Sequence, residues 1–585
     1  MRQPVSLPGR VVFGLSAAAL FLALSPLGGR WLAAFGGLGL VCGTAVALRG
    51  AGPWRPERPL LRAVLLLPAL PVCWSLGACF YNTCLASAQV QSLAAALGLP
   101  REGLLAGLSC LLAAAACPFV YWLLSRAAGA CARLCALLDW SLLLRELRPA
   151  SRRGFFAGVL RVLCALLLAA VLGTALLSGL FRPLTPEAAA RLEKNALASA
   201  RIFQREGLYP DLFPWCESRL DNFTDATMIL EAADLTRAAP LRRAMLVYRG
   251  AFPQDGYVDP CETITRHYLQ DEAYTGIQTY PRYWHGYLLL LRPLLFWMDY
   301  GAIRALNGAV QGLLCGGVLL LLWRRGLGRF VPAYLASMLL LMPRVTAYSL
   351  QYSACCYLFT LGTLLLLALG PRVGRARICG GLFLALGIAT AFFDFLTYPI
   401  AVFGVPAVFY LCLRSGDAPE LRLAGLVRGG VLWGAGYAGM WSLKWVFASL
   451  LTGENVLQNA FAAVTNRLSN FNLDKTMRFS RIQVERTNLL SFFRTPAALL
   501  AAALVLWYVF RLLQRKGNPL EEKELFLTAM PYVLVGVLPM VWRAVTVNHA
   551  GIHYWFTGKG YVVTALACMC GLSACCHRAS QGAKQ

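Results

Sequence analysis

Apolar runs of roughly 17–25 residues recur along this chain, each long enough to cross a bilayer as a helix. In hydrocarbon every backbone amide needs a partner within the protein, so spanning segments fold as helices or as closed barrels. The runs are continuous, without the alternation of a barrel strand. The expected class is therefore an all-α polytopic membrane protein. Composition agrees: 58% of residues are hydrophobic and 14% charged, where a soluble domain carries about 25% charged residues.

Runs at 11–27, 31–48, 63–82, 104–125 and 155–181 precede one long polar segment, 182–283. Runs at 303–323, 329–345, 352–370, 378–396, 398–414, 427–451, 496–514, 525–543 and 558–576 follow it, making about 14 expected spans. The first run, preceded by Arg2 and Arg10, resembles a signal peptide. No convincing small-residue cleavage site follows, and it is expected to remain as a span.

Arginines crowd alternate connections: Arg55, Arg58 and Arg62, then Arg148, Arg152 and Arg153, then Arg324 and Arg325, then Arg372, Arg375 and Arg377. The positive-inside rule assigns these to the cytoplasm, with both termini there and the protein in the plasma membrane. The same clusters underlie the net charge of +26, which without a compact basic domain does not indicate nucleic-acid binding. Segments 182–283, 452–495 and 543–557 then face outward and are expected to meet. Residues 131–150 read as an amphipathic cytoplasmic helix. Residues 284–299, apolar but interrupted by Arg292-Pro293, read as an interfacial helix with Trp and Tyr at headgroup level.

The 182–283 segment carries half of the chain's 28 acidic residues. Asp225 opens a helix-forming run and is suited to serve as a general base, with Asp221 four residues earlier able to share the site. The structural alternative is a helix N-cap. Asp394, among phenylalanines at the end of a span, needs a partner or a task. His285, His549 and His553 lie on the outward side, suited to hydrogen bonding a headgroup or sugar. The four-residue spacing of His549 and His553 could hold a metal on a helix, but Gly551 and the lack of a following Glu argue against it. Arg282, Arg304, Arg344 and Lys444 lie near hydrocarbon and need counter-charges, either a lipid phosphate or nearby carboxylates. Cys216 and Cys261 share the polar segment and are expected to form a disulfide in an oxidising compartment.

The order of these features resembles the GT-C superfamily of membrane glycosyltransferases, which includes protein O-mannosyltransferases and the aminoarabinose transferase of lipid A. Asp225 stands at the family's acidic position, though Thr224 precedes it instead of a second acid. Tyr280-Pro-Arg-Tyr-Trp-His-Gly-Tyr287 matches the entry to the interfacial helix, and Ala302-Ile-Arg-Ala-Leu-Asn-Gly308 the start of the next span. The resemblance divides the chain into a transmembrane extension at 1–154, a GT-C-like core at 155–451 and a C-terminal part at 452–585. Asp225 lies farther beyond the preceding span than the family pattern expects, and the spans before residue 155 have no counterpart.

The resemblance implies transfer of a sugar from a polyprenyl-phosphate donor to a cell-envelope glycan, lipid or protein. Inversion at the anomeric carbon and an aspartate base are implied with it. No nucleotide is required, and a divalent cation serves some branches of the family. Two other readings are a transporter or lipid flippase, and an envelope scaffold whose outer segments bind a partner.

Overall fold

A computed structural model describes residues 88–98, 137–149, 151–253, 259–471, 476–514 and 519–582, with isolated positions between 100 and 108. The expected spans at 11–27, 31–48 and 63–82, and most of 104–125, lie outside the described residues. The chain forms two compact units. One contains Met1–Arg145, Arg478–Glu485 and Met540–Val547. Within it Arg543 donates to both Glu485 carboxylate oxygens at 2.9 and 2.7 Å, and Arg481 donates to the Ala544 carbonyl at 3.1 Å.

The other unit contains Glu146–Met477, Arg486–Pro539 and Asn548–Gln585. Among the described residues of the chain, six helices are long and apolar enough to cross a membrane. They are Arg152–Leu180, Tyr300–Arg324, Leu350–Gly374, Ala376–Phe393, Lys523–Val545 and Tyr554–Arg578. Arg152–Leu180 begins at a Ser151 cap that accepts the Gly154 amide at 3.0 Å. Its Phe156, Leu160 and Leu168 remain 68%, 61% and 61% exposed, a surface suited to lipid and costly in water.

Four expected spans are not among these six: 427–451 lies within the 34-residue helix Pro419–Thr452, and the other three differ in form. The run at 329–345 is a ten-residue helix, Val331–Leu340, followed by left-handed Met342 (φ +56°) and a short helix, Pro343–Tyr348. Ten residues rise about 15 Å, half a bilayer core. Pro343 stops the first helix because it cannot donate the next hydrogen bond. The frayed backbone is satisfied locally: Gln311 donates to Thr346 O at 3.4 Å and Asn307 to Ala347 O at 3.3 Å. Ser353 donates to Thr346 O at 2.8 Å. The run at 398–414 folds as Ile400–Leu413, 14 residues that rise about 21 Å. The run at 496–514 is the second limb of a pair, Arg481–Phe493 and Ala497–Leu513, bent by 96° at the break before Pro496.

The polar segment 182–283 is folded, not extended. It holds helices Pro186–Glu206, Asn222–Ala233, Pro240–Leu246 and Pro260–Leu269. An antiparallel ribbon joins Tyr248–Ala251 to Gly276–Thr279, with Tyr248 opposite Thr279. Helix starts follow the sequence: Thr185 and Asp259 cap the helices that open with Pro186 and Pro260. The stretch 284–299, expected as an interfacial helix, contains a shorter helix, Leu288–Leu295. Among the described residues of 131–150, which are 137–149, the expected amphipathic helix is seen as Trp140–Leu147, with Leu143 buried and Asp139 accepting the Ser141 and Leu142 amides.

The expected disulfide is not formed: Cys216 and Cys261 are separate buried thiols. Cys261 sits in the first turn of its helix with Sγ directed at the Asn222 carbonyl, 3.5 Å away. Cys216 lies in the turn preceding Ser218. Burial pushes both thiols up, so neither is activated.

Candidate functional site

Most charges that the sequence marks as candidates close helix ends. Helix termini carry backbone groups with no partner inside the helix, and a buried terminus needs one from elsewhere. Ser349 precedes Leu350–Leu369 but supplies no side-chain cap. Asp225 does this instead. It accepts the Leu350 amide at 2.8 Å, the Gln351 amide at 3.0 Å, the Tyr300 hydroxyl at 2.6 Å and the Ser349 hydroxyl at 3.4 Å. Both carboxylate oxygens are engaged and the residue is fully buried. Burial pushes its carboxyl up to about 7, against the pull of Tyr300, Arg304 and the two amides.

Arg304 belongs to the same knot. It donates to both Glu206 oxygens at 2.8 and 2.9 Å, to Asn222 Oδ1 at 3.0 Å, to the Tyr300 hydroxyl at 2.7 Å and to the Tyr348 carbonyl at 2.7 Å. Lys444, also fully buried, donates to the Ala244 and Met245 carbonyls at 3.2 and 2.9 Å, closing the end of Pro240–Leu246. Asp394 accepts the Thr397 amide and holds the turn after Ala376–Phe393. Arg344 is exposed and lies over Tyr348, 5.1 Å from its ring.

Asp221, not Asp225, is the N-cap of Asn222–Ala233, accepting the Thr224 amide at 2.9 Å. Its polar neighbours are few. Burial raises its carboxyl to about 6, opposed by Thr224 and the Trp555 indole.

His285 occupies a left-handed conformation (φ +55°) and is buried. Its Nδ1 faces Glu231 at 3.0 Å and its Nε2 faces the Tyr280 carbonyl at 2.7 Å. The Tyr287 hydroxyl lies 3.1 Å from the same Nδ1. Burial works to raise the Glu231 carboxyl, but the His285 charge and hydrogen bond, Arg249 and Tyr287 outweigh it and hold it below the usual range. Gly286 follows because nothing larger fits: its amide donates to the Phe392 carbonyl at 2.8 Å, and an added Cβ would lie 2.6 Å from that oxygen.

The segment Asp394–Pro399 is the hub. Leu396 is left-handed (φ +67°) and its carbonyl receives His549 Nε2 at 2.7 Å. The Phe395 ring packs against Tyr280, Tyr283, His285 and Tyr287, with centroids 5.0–6.2 Å apart. With Nε2–H donated to Leu396, Nδ1 of His549 is left to accept from Arg467 Nη1. Arg467 Nη2 donates to the Tyr283 hydroxyl at 3.0 Å. Segments 182–283, 452–495 and 543–557 thus meet at one point, through Tyr283, Arg467 and His549.

Arg467 was not a candidate from the sequence. It is the sole charged residue of its helix, Val456–Arg467, which is the only local sign of a role. Among the described residues no carboxylate pairs with it. His549 and Tyr283 take two of its five N–H groups and leave three. His549 is buried, and burial with the Arg467 charge holds it well below the usual histidine range. The same causes lower His553 to about 3. The His553 ring lies 4.9 Å from that of His549, tilted by 58°, and its Nδ1 has no hydrogen-bond partner among the described residues. The Trp555 ring, 5.6 Å from that of His553, reaches toward Asp221.

An aromatic wall completes the site. Tyr283 contacts Trp441, Trp441 contacts Tyr437 and Trp445, and Tyr437 stacks on Trp433 at 5.1 Å. A lone cation with free donors beside neutral imidazoles and aromatic faces favours an anion attached to an apolar or ring-shaped body. Among the described residues no group of three or more His, Cys, Asp or Glu side chains could hold a metal ion. Comparison of the chain with protein-family models, curated proteins and solved structures returned no match.

Proposed function

We propose that the protein is a plasma-membrane glycosyltransferase of GT-C-like architecture, with about 14 spans, that uses a polyprenyl-phosphate sugar on its outer face. The observation that carries this reading is the meeting of Tyr283, Arg467 and His549, with donors of Arg467 free and no acidic partner for it among the described residues. Arg467 grips the donor phosphate, the aromatic wall receives the sugar and the first isoprene units, and His549 and Tyr283 orient the guanidinium.

The base is Asp221. Asp225 is engaged on both oxygens, whereas Asp221 is held by Thr224 and neighbours Trp555. An acceptor hydroxyl attacks the anomeric carbon, and its proton passes to Asp221. The bond from the anomeric carbon to the phosphate oxygen breaks, polyprenyl phosphate leaves, and the sugar is inverted. The acceptor is a glycan, lipid or protein of the cell envelope.

The transporter reading draws on the interrupted pair Val331–Leu340 and Pro343–Tyr348, since broken helices mark many transporter sites. The polar side chains there bond one another and the frayed carbonyls, which supports a structural break. Proteoliposomes loaded with donor labelled in its sugar separate the two readings. Label appearing in a covalent acceptor product supports transfer. Label that only crosses the bilayer on intact donor supports the transporter.

A further inference from the structure

A polar cavity of about 210 Å³ lies beside the transfer site, lined in part by Thr279, Tyr280, Arg282, Glu454, Asn455 and Asn459. Its volume equals the share of about seven bulk waters, room for one sugar ring and too little for a lipid chain. The lining mixes an aromatic ring with hydroxyl and amide groups, the chemistry that meets the alternating C–H and O–H faces of a sugar. The Asn459 side chain and the Thr279 hydroxyl are both exposed at the cavity and open to a ligand.

The charge of the cavity is unbalanced. Glu454 is neutralised by Arg242 at 2.6 Å, and Arg242 is further held by the Thr452 carbonyl at 3.0 Å. Arg282 lies over the Tyr280 ring at 5.1 Å, with no acidic partner among the described residues. The cavity therefore favours a sugar bearing an acidic group.

Its position sets the length of the ligand. Asn459 and Arg467 stand on one helix, eight residues and about 12 Å apart along its axis. The Tyr280 ring at the cavity is 5.3 Å from that of Tyr283, whose hydroxyl receives Arg467. A single sugar does not cover both places, whereas an oligosaccharide does.

We propose that this cavity is a distal acceptor subsite, holding an acidic unit of an oligosaccharide whose reacting hydroxyl lies near Arg467. The proposal rests on the glycosyltransferase reading for its role as acceptor site, but the binding itself is testable without donor. Calorimetry on the full chain in detergent would use trigalacturonate as a carboxylate probe and glucose 6-phosphate as a phosphate probe, with maltotriose as the neutral control. The variants are Arg282→Gln and Asn459→Ala, each first checked for an unchanged melting temperature.

The expected result is that one acidic probe binds the wild type at least tenfold more tightly than maltotriose, and that each variant loses at least tenfold of this affinity. Which probe binds identifies the acidic group. Affinity for both acidic probes no better than for maltotriose overturns the proposal, as does undiminished binding by Arg282→Gln. Saccharide binding with this profile, together with no transfer from any donor, would leave the subsite standing and remove the glycosyltransferase reading.

Discussion

The Tyr300 hydroxyl donates to the Asp225 carboxylate across 2.6 Å, and the same oxygen receives the Leu350 amide at 2.8 Å. One carboxylate thus ties the polar segment to the first turn of one candidate span and to the start of another. Removing it should act first on folding. Asp225→Asn loses charge and acceptor capacity at a fully buried position, and Tyr300→Phe removes the 2.6 Å hydrogen bond to that carboxylate, each costing about 1–3 kcal/mol. Thermal denaturation in detergent should show a lower melting temperature for both, with transfer activity per folded molecule largely retained. An unchanged melting temperature together with abolished activity would return the base to Asp225.

Asp221 should set the pH dependence. Its buried carboxyl is raised to about 6, and a general base works only when ionised. Transfer should therefore fall tenfold per pH unit below about 6 and level off above it. His549 and His553 are held neutral well below that range and contribute no limb between pH 5 and 8. Asp221→Asn should lower turnover by roughly 10²–10⁴-fold and abolish the limb. A limb that survives in the variant would assign it to another group.

Gly286 is predicted to be intolerant. Its Cβ-free backbone lies against Phe392, where an added methyl group would come within 2.6 Å of a carbonyl oxygen that cannot move aside. Gly286→Ala should reduce the yield of folded protein and displace His285, measured by size-exclusion profile and melting temperature. Gly312, with open space around its Cβ position, is the control, and Gly312→Ala should behave as wild type.

The separate thiols Cys216 and Cys261 contribute no cross-link for a reductant to break. Dithiothreitol should leave the melting temperature unchanged, and mass spectrometry after alkylation of the denatured, unreduced chain should find both cysteines modified. A linked peptide pair would restore the disulfide.

Periodicity and charge placement made much of the fold legible. The long polar segment, the short helix before Tyr300 and the convergence of three polar segments all follow from where apolar runs stop and arginines lie. The roles of individual charges did not follow. Asp225 reads as a helix-start carboxylate, yet the helix it caps begins at Leu350, and Lys444 closes a helix ending at Leu246. Partners so distant leave no local pattern. Arg467 was invisible for the opposite reason: a single cation at a polar helix end is ordinary, and only the arrival of Tyr283 and His549 from distant segments distinguishes it. The break at Met342 was hidden because Leu- and Met-rich sequence on either side reads as one run.

The most direct test of the account is sugar transfer in proteoliposomes, with a panel of polyprenyl-phosphate sugars and an envelope extract as acceptor, comparing wild type with Arg467→Gln. The account predicts that the wild type consumes one donor and releases polyprenyl phosphate. Arg467→Gln, folded and with an unchanged melting temperature, should lose roughly 10²–10³-fold in turnover, the scale of one preorganised charge contact to a developing anion. Turnover in Arg467→Gln equal to wild type, or no consumption of any donor by the wild type, would contradict it.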